Sequence, residues 1–276
     1  MSIVKTFMRT HPMLTGLALV AVAASAVATT DNAFSSSAPS AIEVDSIPFE
    51  LEDSRIYVPV SDSSGSLGWF ILDTGAQPSG VDVAVAARWQ ARARDSTLSR
   101  GAGNGRSMTR TIAGRELRVG SVAFRPPSLN VVAFDSLLGA VSGRVISGLI
   151  GSRFFYEHTV TIDFDRHTLY LRRPGTLGNI AGATTLPFTL RSDVPFVQGT
   201  LQLPDGQRID ANYLVDLGAK ATVLYAEPFL ARHHIPEALT GPSFTAPLGA
   251  GIGGRTRYRR WAGRVNAGNR ASSRRG

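Results

Sequence analysis

The chain has 276 residues, 43% of them hydrophobic, which is enough for one large domain or two small ones with real cores. It contains no cysteine, which excludes disulfides, thiolate chemistry and cysteine-based zinc sites. The net charge of +8 comes from eight arginines within residues 255–276, and the rest of the chain has equal numbers of basic and acidic residues. No nucleic-acid partner is therefore expected, and residues 255–276 are predicted to be a basic disordered tail.

Residues 1–28 have the features of an export signal. Lys5 and Arg9 make the start positive, residues 14–24 are mostly apolar, and small residues follow at 24–28. We expect the protein to be periplasmic or secreted, with membrane contact only through this segment if it stays uncleaved. The Ser/Ala/Thr-rich residues 29–42 are predicted to form a flexible spacer.

From residue 43 onward the sequence is typical of strands and turns. Short runs rich in Val, Ile, Phe and Leu are interrupted by Gly, Asp, Ser and Pro, and helical periodicity is weak. The pattern predicts an all-β protein.

Two segments of the chain repeat one another in the same order. Ile-Pro-Phe-Glu-Leu at 47–51 resembles Leu-Pro-Phe-Thr-Leu at 186–190, and Trp-Phe-Ile-Leu-Asp-Thr-Gly-Ala at 69–76 matches Asn-Tyr-Leu-Val-Asp-Leu-Gly-Ala at 212–219. We therefore predict two related lobes joined by a linker. The predicted parts are a first lobe at 43–173, a linker at 174–184 and a partial second lobe at 185–254.

Asp73 directly follows an apolar strand, where a carboxylate is costly unless it is paired or hydrogen-bonded. Gly75 allows a sharp turn that can aim N–H groups at the carboxylate, and the Thr74 hydroxyl can donate or accept a hydrogen bond. Two such turns facing each other would bring two carboxylates together, and such a pair shares one proton. A pair with one proton can both activate water and protonate a carbonyl oxygen.

The sequence Asp73-Thr74-Gly75-Ala76 after an apolar strand resembles the active-site turn of aspartic peptidases, both pepsin-like and retropepsin-like. The resemblance implies two retropepsin-like β-barrel lobes with a cleft between them. It also implies an aspartic endopeptidase that acts on peptide or protein substrates with no metal or organic cofactor. Asp73 would be the main catalytic carboxylate and Asp216 its partner.

The same resemblance assigns supporting roles to three groups of residues. One group would hold the active-site turns, a second would pack beneath the site, and a third would form a flap over the substrate. These groups are, in turn, Thr74, Gly75, Ala76, Gly218 and Ala219; Gly148, Leu149, Ile150 and Gly151; and Gly101, Gly103 and Gly105.

The second copy departs from the family pattern. Leu217 has no hydroxyl where the first copy has Thr74, so half of the expected hydrogen-bond network between the lobes is missing. The second lobe also lacks a counterpart of the Gly148–Gly151 segment and of a closing hairpin, which makes it incomplete. Two alternatives stay open at this point: a homodimer that pairs Asp73 from each chain, and an inactive peptide-binding or truncated product.

Overall fold

The computed structural model describes residues 2–6, 22–23, 45–100, 106–139, 143–176, 182–203, 205–220, 225–235, 243–251 and 254–261. Strands dominate these residues, and the helices are short, which confirms the prediction of an all-β protein. No helix in the described part of the chain combines the length and the apolar character that crossing a bilayer requires.

The elements are numbered here in chain order. The first half of the strands is β1 Ser2–Thr6, β2 Val22–Ala23, β3 Asp45–Pro48, β4 Glu50–Glu52, β5 Arg55–Asp62, β6 Gly65–Leu72, β7 Gly80–Asp82, β8 Asp95–Arg100, β9 Arg106–Ala113 and β10 Leu117–Val119. The second half is β11 Val122–Phe124, β12 Ser128–Val132, β13 Gly148–Ile150, β14 Thr159–Asp163, β15 Thr168–Arg172, β16 Phe188–Arg191, β17 Val194–Gln202, β18 Arg208–Leu214, β19 Ser243–Gly251 and β20 Gly254–Trp261. The helices are α1 Val83–Arg88, α2 Phe154–Glu157 and α3 Glu227–Arg232, with a π-helical turn at Asp135–Gly139.

The largest sheet has ten strands and places β6 at its centre. Its order is β11-β10-β5-β6-β13-β7-β12-β9-β8, with β4 paired to β5. β6 runs antiparallel to β5 and parallel to β13. Because β6 is paired with a strand on each side, the backbone that leads into Asp73 is fixed on both sides.

The main core lies between this sheet and a five-stranded sheet of order β2-β1-β14-β15-β3. Side chains alternate across β6: Phe70 and Leu72 enter the main core, and Ile71 enters a smaller cluster on the opposite face with Tyr57. All three β6 residues are buried, as the apolar run before Asp73 predicts. The strand that leads to Asp73 is thus packed on both faces.

The second lobe is built on the three-stranded sheet β16-β17-β18. Its described core is small and consists of Leu201, Leu203, Ile209 and Ile235, against which Tyr225 and Phe229 pack. β17 and β18 form a long antiparallel pair that ends at Leu214, two residues before Asp216. The sheet therefore presents Asp216 at a strand end, as β6 presents Asp73.

One prediction about the tail is wrong for part of its length. Residues 255–261 were expected to be disordered, but β20 pairs antiparallel with β19 through this region. The sequence explains the strand, because Thr256, Tyr258 and Trp261 are β-favouring residues. Residues 262–276 lie outside the described residues.

The two N-terminal predictions stay predictions. Of the predicted export signal, the structure describes only β1, which runs parallel to β14, and β2, which pairs with β1. The predicted spacer at 29–42 lies outside the described residues. The linker prediction is described only at its ends, residues 174–176 and 182–184.

Candidate active site

The Asp73 turn is held by backbone hydrogen bonds at the end of β6. The Asp73 N–H donates to Ile150 O at 2.9 Å, which continues the pairing of β6 with β13. The Gly75 N–H donates to Asp73 Oδ1 at 2.7 Å. The carboxylate therefore has an internal partner of the kind that an aspartate beside a buried strand needs.

The Asp216 turn repeats the bond from the glycine N–H to the aspartate carboxylate in the second lobe. The Val215 N–H donates to Pro195 O at 2.9 Å, and the Gly218 N–H donates to Asp216 Oδ1 at 2.8 Å. Asp216 is more exposed to solvent than Asp73, which is half-buried. The sequence repeat thus corresponds to a repeat of the local backbone geometry.

The structure brings the two carboxyl groups together. The Cα of each turn's glycine lies against the other turn's aspartate: a Cβ added at Gly75 would be 2.7 Å from Asp216 Cγ, and one at Gly218 would overlap the Asp73 carboxyl. The two carboxyl groups are also close enough for the charge of Asp216 to act on the pKa of Asp73. Only residues without a side chain fit at these two positions, so the glycines set how closely the carboxyl groups approach.

The environment of Asp73 favours its protonated form. Burial raises the pKa of Asp73 to about 8, and the negative charge of Asp216 acts in the same direction. The Gly75 N–H and the positive charge of Arg55 act against this rise in pKa. At neutral pH the pair therefore keeps a proton, which belongs to the pair as a unit.

Thr74 connects the two turns. Its side chain is fully buried, and its Oγ1 donates to Val215 O at 2.6 Å and accepts from the Leu217 N–H at 3.1 Å. Leu217 is half-buried and packs against the main core of the first lobe. The hydrogen bonds from Thr74 to the second turn are therefore present. In place of the equivalent bonds from the second turn, Leu217 makes an apolar contact.

The segment Gly148–Gly151 lies beside and beneath the Asp73 turn. The Gly151 N–H donates to Ser79 Oγ at 2.9 Å, and the Ser152 N–H donates to Ala76 O at 2.9 Å. A Cβ on Gly151 would be 2.6 Å from Ala76 O, so glycine is required for this approach. Leu149 faces the smaller core cluster, and Ile150 is buried in the main core.

Two sets of predicted site residues remain, the flap candidates and Ala219. The flap candidates Gly101, Gly103 and Gly105 lie outside the described residues, between the paired strands β8 and β9. Ala219 follows Gly218 and is half-buried. Among the described residues, no three His, Cys, Asp or Glu side chains are grouped as metal ligands would be.

Sequence reasoning missed the residues that fasten the lobes together beside the two turns. Arg55 is almost completely buried, and its Nε donates to Gly218 O at 2.8 Å. Lys220 Nζ lies 2.7 Å from Asp53 Oδ2. Ser152 Oγ and Tyr156 Oη each donate to Asp193 O at 2.6 Å. The one signal in the sequence was Arg55 itself, a charged residue directly before the apolar run 56–60.

Comparison with known proteins supports the resemblance seen in the sequence. Residues 58–154 match the sequence model of a family described as aspartyl protease. The matched segment contains the Asp73 turn and the whole of Gly148–Gly151. Among solved structures, the chain resembles the crystal structure of a retropepsin-like aspartic protease from Rickettsia conorii. The two share 16% sequence identity with a TM-score of 0.32, over 50% of this chain and 98% of that chain.

No curated protein matches the chain. The family match covers the strand, the turn and the underlying segment that the sequence singled out. The resemblance is thereby confirmed for this part of the first lobe: residues 58–154 are similar to the aspartyl protease family.

Proposed function

We propose that this chain is an aspartic endopeptidase that hydrolyses peptide bonds with a water activated between Asp73 and Asp216. One observation carries the proposal: two turns of repeated sequence face each other so closely that each glycine contacts the opposite aspartate. The high pKa of Asp73 supports it, because a pair that keeps one proton at neutral pH contains both an acid and a base.

The proposed reaction needs only these two groups and water. The ionised carboxylate of the pair accepts a proton from the water as its oxygen attacks the peptide carbonyl carbon, and the protonated carboxyl donates its proton to the carbonyl oxygen. As the tetrahedral intermediate collapses, the pair donates the proton taken from water to the leaving nitrogen, the peptide C–N bond breaks, and a hydroxyl proton of the intermediate returns to the pair as the new carboxyl group forms. Thr74 and the two glycines keep the carboxyl groups at the required separation.

The proposal takes Asp216 of the same chain as the partner of Asp73. In the homodimer alternative, the partner would be Asp73 of a second copy, and Asp216 would be dispensable. The described contacts support the intrachain pair, because Thr74 Oγ1 bonds to both Val215 and Leu217 of the same chain. Measuring the activity of Asp216→Asn alone distinguishes the two arrangements.

The proposal is tested with Asp73→Asn and Asp216→Asn, assayed on casein and on a quenched fluorescent peptide between pH 3 and pH 9. We expect each variant to lose cleavage and to keep its fold, because asparagine has the same shape but cannot exchange the proton. Wild-type cleavage should fall as the pH rises through about 8, where the pair loses its proton. Asp205→Asn, in the exposed turn between β17 and β18, is the matched control and should stay active.

Unchanged turnover in Asp73→Asn would refute the assignment. A wild-type chain that binds a pepstatin-like inhibitor and cleaves nothing would support the inactive peptide-binding alternative.

We further propose export, from the charged and apolar pattern of residues 1–28. Recovery of the protein only from the cytoplasmic fraction of the source cell would refute export.

A further inference from the structure

Arg55 is a buried cation that the proposed reaction does not use. It opens β5, directly after the two-residue turn Asp53-Ser54, whose φ angles of 50° and 64° are typical of a tight hairpin turn. The residue is 7% exposed. A guanidinium buried to this degree is costly unless it is hydrogen-bonded, and its Nε donates to Gly218 O at 2.8 Å.

Gly218 is the residue of the second turn that contacts both carboxyl groups. Its N–H donates to Asp216 Oδ1, and its Cα lies against the carboxyl of Asp73. A bond to the Gly218 carbonyl therefore restrains the backbone on which the separation of the two carboxyl groups depends. Arg55 makes that bond from the opposite lobe, across 163 residues of sequence.

Arg55 also acts on the pair through its charge. Its positive charge lowers the pKa of Asp73, against the effects of burial and of Asp216. Asp216 and Arg55 are the charged groups that act on Asp73 in the described structure. The nearby Lys220 is itself paired with Asp53 at the surface of the same turn.

The sequence repeat has no arginine at the equivalent position of the second lobe. The repeat that matches 47–51 with 186–190 puts Val194 at the position of Arg55. The hairpin turn before Val194, Ser192-Asp193, has nearly the same positive φ angles, 49° and 62°. That turn is fastened through the Asp193 carbonyl by the neutral hydroxyl groups of Ser152 and Tyr156. Among the described residues, Val194 therefore supplies no cation equivalent to Arg55.

We propose that Arg55 is a positioning residue that holds the Asp216 turn against Asp73 and sets the pH range in which the carboxyl pair is active. The inference rests on the proposed function. The bond to Gly218 O keeps the two carboxyl groups at working distance, and the charge makes the pair release its proton at lower pH than burial alone would allow.

The test compares Arg55→Met, which removes both the bond and the charge, with Arg55→Lys, which keeps the charge but cannot reproduce the guanidinium geometry. Arg55→Met should lower kcat about tenfold or more, which corresponds to about 1.4 kcal/mol, with a smaller change in KM. Its pH–activity profile should move to higher pH. Arg55→Lys should keep the wild-type profile and still lose kcat, because its ammonium does not reach Gly218 O in the same way.

Lys220→Met is the matched control, since it removes a cation from the same region but leaves the bond to Gly218 O intact. It should leave the pH profile unchanged. A folded Arg55→Met protein with wild-type kcat and profile would overturn the proposal. A profile that moves equally in Arg55→Lys would also overturn it, because the charge would then not be the cause.

A second measurement separates this inference from the proposed function. The pH dependence of unfolding reports the proton on the carboxyl pair whether or not the chain cleaves peptides. In all three proteins the unfolding free energy should fall as the pH rises. In Arg55→Met this fall should continue to a higher pH than in wild type and Lys220→Met. If Arg55→Met does not fold, Arg55→Gln gives the same comparison without the charge. Identical pH dependence in the charge-removing variant and wild type would refute the role of Arg55 even if the enzyme proves active.

Discussion

The proton on the carboxyl pair should be measurable as a dependence of stability on pH. Asp73 has a pKa of about 8 in the folded chain and an ordinary value near 4 when unfolded, so the folded state holds an extra proton between these values. A raised pKa stabilises the fold fully below about pH 4, and this stabilisation is lost as the pH rises through about 8. One extra proton corresponds to a slope of about 1.4 kcal/mol per pH unit.

Replacing Asp73 with Asn removes this contribution. Between pH 5 and pH 7 the unfolding free energy of the wild type should fall by up to about 3 kcal/mol relative to that of Asp73→Asn. Urea unfolding at pH 5, 6 and 7, followed by tryptophan fluorescence, measures both curves. Asp205→Asn should follow the wild type. Parallel curves for wild type and Asp73→Asn would show that Asp73 does not carry the extra proton, and the reasoning from burial would fail.

Two further predictions concern the contacts that hold the turns. Thr74→Val keeps the shape but loses both hydrogen bonds of Oγ1, which should cost about 1–3 kcal/mol of unfolding free energy; Thr74→Ser, which keeps a hydroxyl, should cost less. Gly218→Ala would push a methyl group into the Asp73 carboxyl, so cleavage should fall about a hundredfold with a native near-ultraviolet circular dichroism spectrum. Equal stability of the Val and Ser variants, or normal turnover in Gly218→Ala, would contradict these contacts.

Local patterns made much of the fold accessible from the sequence. The apolar run before Asp73 predicts a buried strand, and Phe70, Ile71 and Leu72 are buried on the two faces of β6. The repeat predicts that a second aspartate stands at an equivalent strand end, and the structure places Asp216 there. These inferences succeed because strand periodicity and turn residues act over a few positions.

Contacts between distant segments were not accessible in this way. The bond from Arg55 to Gly218 O depends on how the two lobes pack, and a single arginine before an apolar run has many other uses. The same holds for Leu217, whose missing hydroxyl could be seen in the sequence but whose packing on the first lobe's core could not. In the tail, arginine content outweighed the β-favouring Tyr258 and Trp261 in the prediction, and β20 shows that this weighting was wrong for residues 255–261.

The two hairpin turns that reach across between the lobes, Asp53-Ser54 and Ser192-Asp193, belong to a single polypeptide. Halves joined in this way meet at an effective concentration fixed by the connecting segment, however dilute the solution is. Two separate halves with only these few fastenings would have to overcome the entropy of association each time they met. Because the lobes are tethered, each contact between them can be weak. The second copy can therefore have Leu217 where the first has the hydroxyl of Thr74, and Val194 where the first has the cation Arg55, while the two turns still face each other.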